Sequence, residues 1–386
     1  MAFWVQYGAV NITSTGAWRL CFGLQLIPGA MVGLIMLIRP ESPRWLVRHD
    51  RAEEALQVLA KLHAGGNTED VVVLSELEEI KVIVHFEMNS PPPTYSSLIF
   101  ARRYRRRTAL GMGVQFMQQK SGPNICLYYA TKVFAQTGRT GTTATLLANG
   151  IDGGLLLAAT ISLVIMSDIY GRRKPLIIGP ILMGTCFVVV GSMLVGFGEP
   201  HWDPTTSAVQ FHFANSAAGN AAVAFMFLYM VFFGGLYSAL AWTYPNEIFP
   251  LNARARGTAL STSTNWMTNF WLGLYIPQAL NEASWKLYFV FGAFNYMNSI
   301  LAYLFFPETS QRSLEELDLL FTPDRTTWVF TDKEARKKGS ILQHSLTDGP
   351  DVVSHELEKA LARAMGGSLP SEKIAMESTV AQAERV

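Results

Sequence analysis

The chain has 386 residues, of which 49% are hydrophobic and only 16% are charged, and its formal net charge is +1. A soluble domain carries about 25% charged residues, so this chain is unusually poor in charge. Its basic residues stand in short clusters between long apolar runs, which argues against a nucleic-acid binder, a soluble enzyme or a disulfide-stapled secreted domain. The composition predicts an all-α polytopic membrane protein in contact with the lipid bilayer.

A helix needs about 20 apolar residues to cross about 30 Å of hydrocarbon. The windows that meet this requirement are 20–38, 109–131, 142–167, 175–198, 221–243, 257–280 and 287–306. Residues 1–10 are apolar but too few to cross. We therefore expect seven full spans preceded by a stub.

Lysine and arginine are distributed unevenly between the spans. Residues 39–108 carry eleven of them, 168–174 three and 250–256 two, whereas the intervening loops carry almost none. Because basic loops stay on the cytoplasmic side, these three segments and the C-terminal tail are expected to be cytoplasmic.

The large basic loop has the pattern of a folded helical segment. Asp50 and Glu53 predict a capping box, Gly65-Gly66 predicts the end of that first helix, and residues 69–86 predict a second helix. The arginine run at 102–107 is typical of a membrane stop. The tail after Phe321 lacks sustained periodicity, and we expect it to be largely disordered.

Several amide side chains lie inside the second window. Gln115 and Gln119 are four residues apart and share one helical face, with Gln118 beside them. Amides are costly in lipid, so we expect them to face a cavity, where they would suit a hydroxyl-rich ligand because they both donate and accept hydrogen bonds. Hydrogen bonding between helices is the alternative. Gly122-Pro123 predicts an interruption of the helix that frees backbone groups for a substrate.

Charged residues of both signs lie at the predicted cytoplasmic ends of the helices. Ion pairs there could hold one conformation and break in another, although the arginines alone could simply set topology. These residues are Glu41, Arg44, Asp168, Arg172, Arg173, Glu247, Arg254 and Glu308.

Five motifs at these boundaries, taken together and in order, resemble those of the sugar-porter family of the major facilitator superfamily. They are PESPRWL at 40–46, QQKSGPN at 118–124, DIYGRR at 168–173, EIFPLNAR at 247–254 and PET at 307–309. The resemblance runs from about residue 4 to residue 320. It implies a major facilitator fold in the plasma membrane and transport of a sugar or related polyhydroxylated solute by alternating access. Separately, the sequence has no Ser/His/Asp set, metal-ligand cluster or phosphate-binding glycine loop in a plausible place, so we expect neither an enzyme nor a cofactor or metal.

The resemblance also implies roles for individual residues. Gln118, Gln119 and Asn124 match the family's sugar-contacting amides, and Trp242 matches the tryptophan beside the sugar ring. Two further candidates on the same basis are Phe233 and Asn265. The boundary charges are implied to close the cytoplasmic side of the outward-facing state.

Two buried charges depart from the family pattern. Lys120 follows the paired glutamines, about 16 Å along the helix from Ala109, and Asp152 lies near the centre of the next span. We hypothesise that they form an ion pair, since a lone charge at this depth costs at least about 2.5 kcal/mol. Alternatively, Lys120 contacts an anionic substrate such as a hydroxy acid. If a proton is a partner in transport, Asp152 is the first candidate for coupling.

Other departures leave the substrate open. Leu156 stands where the family has an asparagine, residues 238–241 lack its glycine-proline stretch, and Gly234 replaces a common acidic residue. Residues 4–8 and 150–153 look closer to fungal quinate-permease-like members. Hexose, polyol and quinate-like solutes all remain candidates, and a nutrient sensor that signals through its cytoplasmic tail is the alternative function.

The resemblance divides the chain into four parts. Residues 1–38 correspond to the end of span five and to span six, 39–108 to the cytoplasmic helical loop, 109–306 to the C-terminal six-helix bundle and 307–386 to the tail. Spans one to four have no counterpart in this chain. We accordingly expect an N-terminally truncated member that does not transport by itself.

Overall fold

The computed structural model describes residues 5, 8–9, 12, 14–89, 92–128, 142–203, 208–213, 215–282, 285–312, 317, 320–321 and 327–336. The chain divides into two compact units, one of residues 1–94 with 251–255 and one of residues 95–250 with 256–386.

Four helices with given bounds lie in the described residues of the first unit. They are α1 (Gly16–Ile38), α2 (Pro43–Arg48), α3 (Ala52–His63) and α4 (Val71–Asn89). Helix α1 is apolar and buries none of its residues within the protein, which suits a helix surrounded by lipid. The other three pack around a small core that includes Leu46, Leu59 and Val73, so the basic loop is folded.

The start of α3 differs from the expected capping box. Asp50 has a φ of +58° in the turn that ends α2, so it cannot adopt the extended conformation of an N-cap. Arg51 precedes the helix instead, and its guanidinium binds the Glu54 carboxylate at 2.6 Å. This hydrogen bond lowers the pKa of Glu54. At the other end, Gly65 and Gly66 have positive φ and end the helix as predicted.

The second unit contains the remaining helices and a hairpin. Its helices are α5 (Tyr95–Phe100), α6 (Arg102–Lys120), α7 (Pro123–Tyr128), α8 (Thr142–Tyr170), α9 (Arg173–Phe197), α10 (Ser216–Leu236), α11 (Leu240–Ile248), α12 (Leu251–Glu282, whose first five residues group with the first unit), α13 (Trp285–Phe305) and α14 (Lys333–Arg336). Strands β1 (Gly198–Asp203) and β2 (Ala208–Phe213) pair antiparallel, with Gly198 opposite Phe213. The all-α expectation did not include this hairpin.

Four helical stretches in the described part of the chain are long and apolar enough to cross a bilayer: Gly16–Ile38, Arg173–Phe197, Ser216–Ile248 and Trp285–Phe305. Helices also cover most of the other three predicted windows. The apolar runs therefore predicted where the long helices lie.

Helices α9 and α13 approach each other closely at glycines. A Cβ added to Gly184 would lie 3.1 Å from the carbonyl oxygen of Gly292, and one added to Gly292 would lie 2.9 Å from a methyl group of Val188. Small residues allow such an approach in membrane helices, where packing rather than water drives association. The aromatic core of this unit begins beside them, with the Phe187 ring 4.4 Å from that of Tyr229.

Part of the chain beyond α13 packs back against this helix. The backbone N–H of Val329 donates to the Leu304 carbonyl at 2.8 Å, and the Val329 side chain is fully buried. The Trp328 ring lies 5.1 Å from that of Phe305. Residues 327–336 thus pack against α13 through the apolar residues at 328–330, and the expectation that the tail is largely disordered stays a prediction.

The arginine run has two environments. Arg102, Arg103 and Arg105 are exposed, as a membrane stop requires. The guanidinium groups of Arg106 and Arg107 instead lie 5.3 and 4.8 Å from the ring of Phe321. These two arginines therefore also stabilise the chain after α13 by cation–π contacts.

Candidate functional site

The site is built around an interruption of the helix that contains the glutamines. Helix α6 ends at Lys120 and α7 begins at Pro123. Between them Gly122 has a φ of +100°, and a Cβ at this position would lie 2.8 Å from the Phe187 ring. Only glycine fits both the backbone conformation and the space, so the interruption predicted from Gly122-Pro123 is present.

Two backbone carbonyls at this interruption already accept hydrogen bonds from neighbouring helices. The Ser121 carbonyl accepts from the Asn295 amide at 2.8 Å and from the Tyr229 hydroxyl at 3.1 Å. The Met117 carbonyl keeps its helical hydrogen bond from the Ser121 N–H at 2.9 Å and also accepts from the Asn298 amide at 3.0 Å. In this structure α10 and α13 therefore already bind the Ser121 carbonyl, and its use by a substrate stays a prediction.

The amide side chains predicted on α6 form one buried network, which we call the amide cluster. It consists of Gln115, Gln118, Gln119, Asn124 and Asn265, each at most 8% exposed. Asn265 is central: its amide nitrogen donates to Gln115 at 2.6 Å and to Gln118 at 2.8 Å, while its oxygen accepts from Gln119 at 2.8 Å. Asn124 donates to Gln119 at 3.0 Å. Sequence spacing placed the glutamines on one face, and the structure adds their common partner on α12.

The amide cluster is also bonded to the backbone of a second interrupted helix. Gln115 donates to the Ala241 carbonyl and Gln118 to the Ser238 carbonyl, both at 2.8 Å. These carbonyls lie where α10 ends and α11 begins. The sequence did not predict this interruption, because residues 238–241 lack the glycine-proline pair that marks the one in α6.

The two aromatic candidates have different surroundings. Trp242 is 41% exposed, so part of its indole is accessible. Phe233 is 5% exposed and its ring stacks against Tyr229 at 6.2 Å inside the core. In this conformation only Trp242 of the pair presents a face to a ligand.

The structure does not bring Lys120 and Asp152 together. No ion pair joins them in the described part of the chain. The Lys120 ammonium instead lies 5.7 Å from the Phe116 ring and 5.3 Å from the Phe294 ring. Asp152 is buried, with 4% exposure. The hypothesised ion pair is therefore corrected: Phe116 is one helical turn before Lys120, and the ammonium is stabilised by two aromatic faces.

A second polar group surrounds the first turn of α9. The Glu308 carboxylate accepts from the backbone N–H groups of Arg172 at 2.8 Å, Arg173 at 3.1 Å, Thr309 at 3.1 Å and Ser310 at 3.0 Å. A Cβ at residue 171 would overlap this carboxylate, so Gly171, with a φ of +81°, is required there. Glu308 thus satisfies the unpaired amides and the positive dipole at a helix N-terminus.

One ion pair in this group joins two of the residues predicted to form a charge lock. The Arg172 guanidinium binds Glu247 at 3.1 Å and also donates to the Ser167 carbonyl and the Ser310 hydroxyl. Glu247 accepts a further hydrogen bond from Thr309. We call these residues and Glu308 the α9 terminal cluster; its serine and threonine were not predicted.

Arg173 does not pair with Glu308 through its side chain. Its guanidinium donates to the carbonyls of Phe306 at 3.0 Å and Tyr303 at 2.7 Å at the end of α13. In this structure the side chains of Arg173 and Glu308 therefore bind backbone groups, and their part in a charge lock stays a prediction.

The remaining predicted lock residues lie elsewhere. Glu41 and Arg44 are exposed in the first unit, and Arg254 is half-buried in the first turn of α12. The side chain of Asp168 lies outside the described residues. Their roles stay predictions.

Interrupted helices, glycine-packed spans and a buried amide cluster define a polytopic helical membrane protein, and its fold is that of the major facilitator superfamily. The solved structure of the proton:xylose symporter XylE aligns with a TM-score of 0.64 and 24% identity, over 83% of this chain and 64% of that one. At this identity the likeness concerns the fold.

The sequence comparisons identify the family. The model described as sugar (and other) transporter matches residues 1–321, so the chain belongs to that family. An MFS glucose transporter of Aspergillus flavus is 35% identical over 86% of this chain, and a high-affinity glucose transporter of Kluyveromyces lactis is 34% identical over 88%. The chain spans 64% of the length of each of these relatives.

Proposed function

We propose that this chain contributes the solute-binding half of a carrier that moves a sugar or related polyhydroxylated solute across a membrane by alternating access. The observation that carries the proposal is the amide cluster, in which five amide side chains converge beside two interrupted helices. Solute sites in such carriers lie near the midplane, at discontinuous helices. The relatives named as glucose transporters make D-glucose the first solute to test.

Binding would exchange one set of hydrogen bonds for another. Asn265 now uses both of its donors and its oxygen on the three glutamines. A sugar hydroxyl also donates and accepts, so one hydroxyl can take the place of Asn265 on a glutamine while another takes the place of that glutamine on Asn265, which leaves no buried amide unpaired. The exposed face of Trp242 supports the proposal, since an indole can lie against the apolar face of a sugar ring.

Alternating access needs elements with two arrangements. The interruptions at 121–122 and 237–239 are places where short half-helices can rotate without breaking a continuous hydrogen-bond ladder. The α9 terminal cluster contains one ion pair and several hydrogen bonds that can release together. We propose that it stabilises one arrangement of these helices.

The location and orientation follow from the distribution of charge. We propose a plasma-membrane protein whose basic loops and C-terminus are cytoplasmic. We further propose Asp152 as the proton-coupling residue if uptake proves to be driven by a pH gradient, since it is a buried carboxylate within α8. Retention of coupling in Asp152→Asn would exclude it.

The proposal is tested by solute binding and uptake with matched glutamine variants. Gln119→Leu removes two hydrogen-bonding groups from the amide cluster, and Gln278→Leu makes the same change at an exposed position of α12. With the purified chain in lipid nanodiscs, we expect Gln119→Leu to weaken D-glucose binding at least about tenfold and Gln278→Leu to leave it unchanged. Equal weakening by both, or by neither, contradicts the proposal.

Uptake of labelled solute into proteoliposomes separates a carrier from a receptor. Binding with flux supports transport, whereas binding without flux in a membrane containing the whole protein favours the sensor. D-Glucose, a polyol and quinate are compared in parallel, because the residues that depart from the family pattern leave these three classes open. Unchanged melting temperatures of the variants in detergent show that any loss arises at the site.

A further inference from the structure

A cleft opens between three helices of the second unit, away from the amide cluster. It has a volume of about 230 Å³. Leu163 and Tyr170 of α8 form one wall, Pro175 and Ile178 of α9 the other, and Gly235 of α10 lies on the floor. Lys174 stands on its rim. The proposed transport function makes no use of this cleft.

The cleft has the length and lining that suit a hydrocarbon chain. Leu163 and Tyr170 are seven residues apart, so the wall extends about 10 Å along α8. Its lining presents no polar atoms, so Lys174 and Tyr170 contribute only their apolar parts to it, and residues of α8 next to the lining residues in the chain are exposed, including Val164 at 61% and Ile169 at 63%. In a membrane-spanning helix such exposed residues face lipid. A cavity of this kind is filled by acyl chains rather than by water.

The rim carries a positive charge that is available to a ligand. Arg172, Arg173 and Lys174 are consecutive cations, and the first two donate to the α9 terminal cluster and to the end of α13. Lys174 is exposed, and no ion pair involves it among the described residues. Tyr170, 50% exposed, lies on the same rim, where aromatic hydroxyls meet the headgroup region.

The floor is open because it is formed by glycine. A Cβ at Gly235 would make only ordinary contacts, 3.6 Å from the Ala159 carbonyl oxygen and 3.8 Å from its Cβ. The space beside the neighbouring Gly234 is already filled, since a Cβ at that residue would lie 2.9 Å from the Leu156 carbonyl oxygen. A larger side chain at residue 235 would therefore occupy the cleft without first displacing the backbone of α8.

We propose that this cleft binds an anionic glycerophospholipid, with one acyl chain between α8 and α9 and the headgroup at Lys174 and Tyr170. A basic residue at the end of an apolar groove between membrane helices is complementary to a lipid with a net negative headgroup. A zwitterionic headgroup gains less from a lone ammonium, because its own cation is repelled.

Two variants test the two ends of the lipid separately, and a third is the matched control. Lys174→Gln removes the charge, and Gly235→Leu fills the floor. Lys286→Gln is the control for Lys174→Gln. Both lysines are exposed, and each is the second residue of its helix, Lys286 in α13 and Lys174 in α9. Bound lipid is counted by native mass spectrometry after titration with dioleoyl phosphatidylserine or dioleoyl phosphatidylcholine.

We expect Lys174→Gln to weaken phosphatidylserine binding about fivefold, the value of one basic residue at an anionic membrane surface, and to leave phosphatidylcholine binding unchanged. Gly235→Leu should lower phosphatidylserine binding by a similar factor, while Lys286→Gln should not change it. Equal losses in the two lysine variants would mean general charge attraction and would overturn the proposal. Unchanged binding in a folded Gly235→Leu variant would overturn the placement of the chain.

A second measurement covers the case in which Gly235→Leu does not fold. Ile178→Trp places a fluorophore at a cleft residue that is 50% exposed. Phosphatidylserine with brominated chains should quench the added fluorescence of this variant at lower concentration than brominated phosphatidylcholine does. Equal quenching by both lipids would contradict a specific anionic site.

Discussion

At the scale of single residues, the interruption after α6 depends on a glycine whose backbone conformation and surroundings both exclude a side chain. Gly122→Ala would place a methyl group 2.8 Å from the Phe187 ring at a φ of +100°. Strain and overpacking of this kind cost about 1–3 kcal/mol each. We expect a clear fall in the melting temperature of the purified chain in detergent.

Gly113→Ala is the control for this prediction. It makes the same change inside α6, where the added methyl group would lie 4.0 Å from the nearest atom, in the ring of Phe306. Alanine is favoured over glycine within a helix by about 1 kcal/mol, so this variant should be neutral or more stable. Equal destabilisation by the two variants would show that the interruption itself is not the sensitive feature.

The adjacent glycines of α10 provide a second residue-scale prediction. Gly234→Ala would press against the backbone of α8, 2.9 Å from the Leu156 carbonyl oxygen, whereas Gly235→Ala meets only contacts of 3.6 Å or more. We expect the first to lower stability by about 1–3 kcal/mol and the second to change it by less than about 0.5 kcal/mol. Thermal unfolding in the same detergent measures both, and the reverse order would contradict the packing of α8 against α10.

At the scale of helices, the start of α9 depends on a carboxylate from beyond α13. Glu308 accepts four backbone hydrogen bonds, two of them from Arg172 and Arg173. Glu308→Gln keeps the shape but turns an NH2 group toward amide donors, so at least one of them loses its acceptor. We expect a loss of about 1–3 kcal/mol and faster hydrogen exchange of the amides at 172–173, measured by mass spectrometry. Glu282→Gln, at the exposed end of α12, should leave both unchanged.

Among the helices and turns, sequence patterns predict the features that depend on local sequence alone. Apolar runs of about 20 residues predicted the long helices, because each helix satisfies its own backbone and needs no distant partner. The capping box at Asp50 failed because the turn from the preceding helix fixes that residue at positive φ. The interruption between α10 and α11 and the β-hairpin carry no comparable local signal.

The amide cluster was predictable only in the part that depends on local spacing within one helix. The spacing of Gln115, Gln118 and Gln119 placed them on one face, which is a local property of α6. Their pairing with Asn265, some 150 residues away, and the binding of the Ser121 and Met117 carbonyls by Asn295 and Asn298 depend on how helices pack. Resemblance named Asn265 as a candidate, but only the structure gives it three hydrogen bonds to the glutamines.

At the scale of the second unit as a whole, the chain beyond α13 returns to the α9 terminal cluster. The N–H of Glu308 donates to the Ala335 carbonyl at 2.8 Å, so residues 327–336 contact the residue that completes the start of α9. The Phe330 ring stacks against Tyr303 at 6.4 Å, and the Tyr303 carbonyl accepts from Arg173. Segment 327–336, α9 and α13 therefore share one set of contacts. We expect that undocking the segment would weaken the hydrogen bonds that Glu308 accepts at the start of α9.

Val329 is the residue through which this can be tested, because its side chain is fully buried. Val329→Asp would bury an unpaired carboxylate at a cost of several kcal/mol, which exceeds what one short segment can recover. We expect the segment to undock, so that trypsin cuts after Lys333 at least about tenfold faster than in the parent chain, a ratio equivalent to roughly 1.4 kcal/mol when opening is fast. Thr327→Asp introduces the same carboxylate at an exposed position and should leave the rate unchanged.

If Val329→Asp also quickens amide exchange at 172–173, the segment supports the α9 terminal cluster. Cleavage without faster exchange would mean that Glu308 completes α9 without help from residues 327–336.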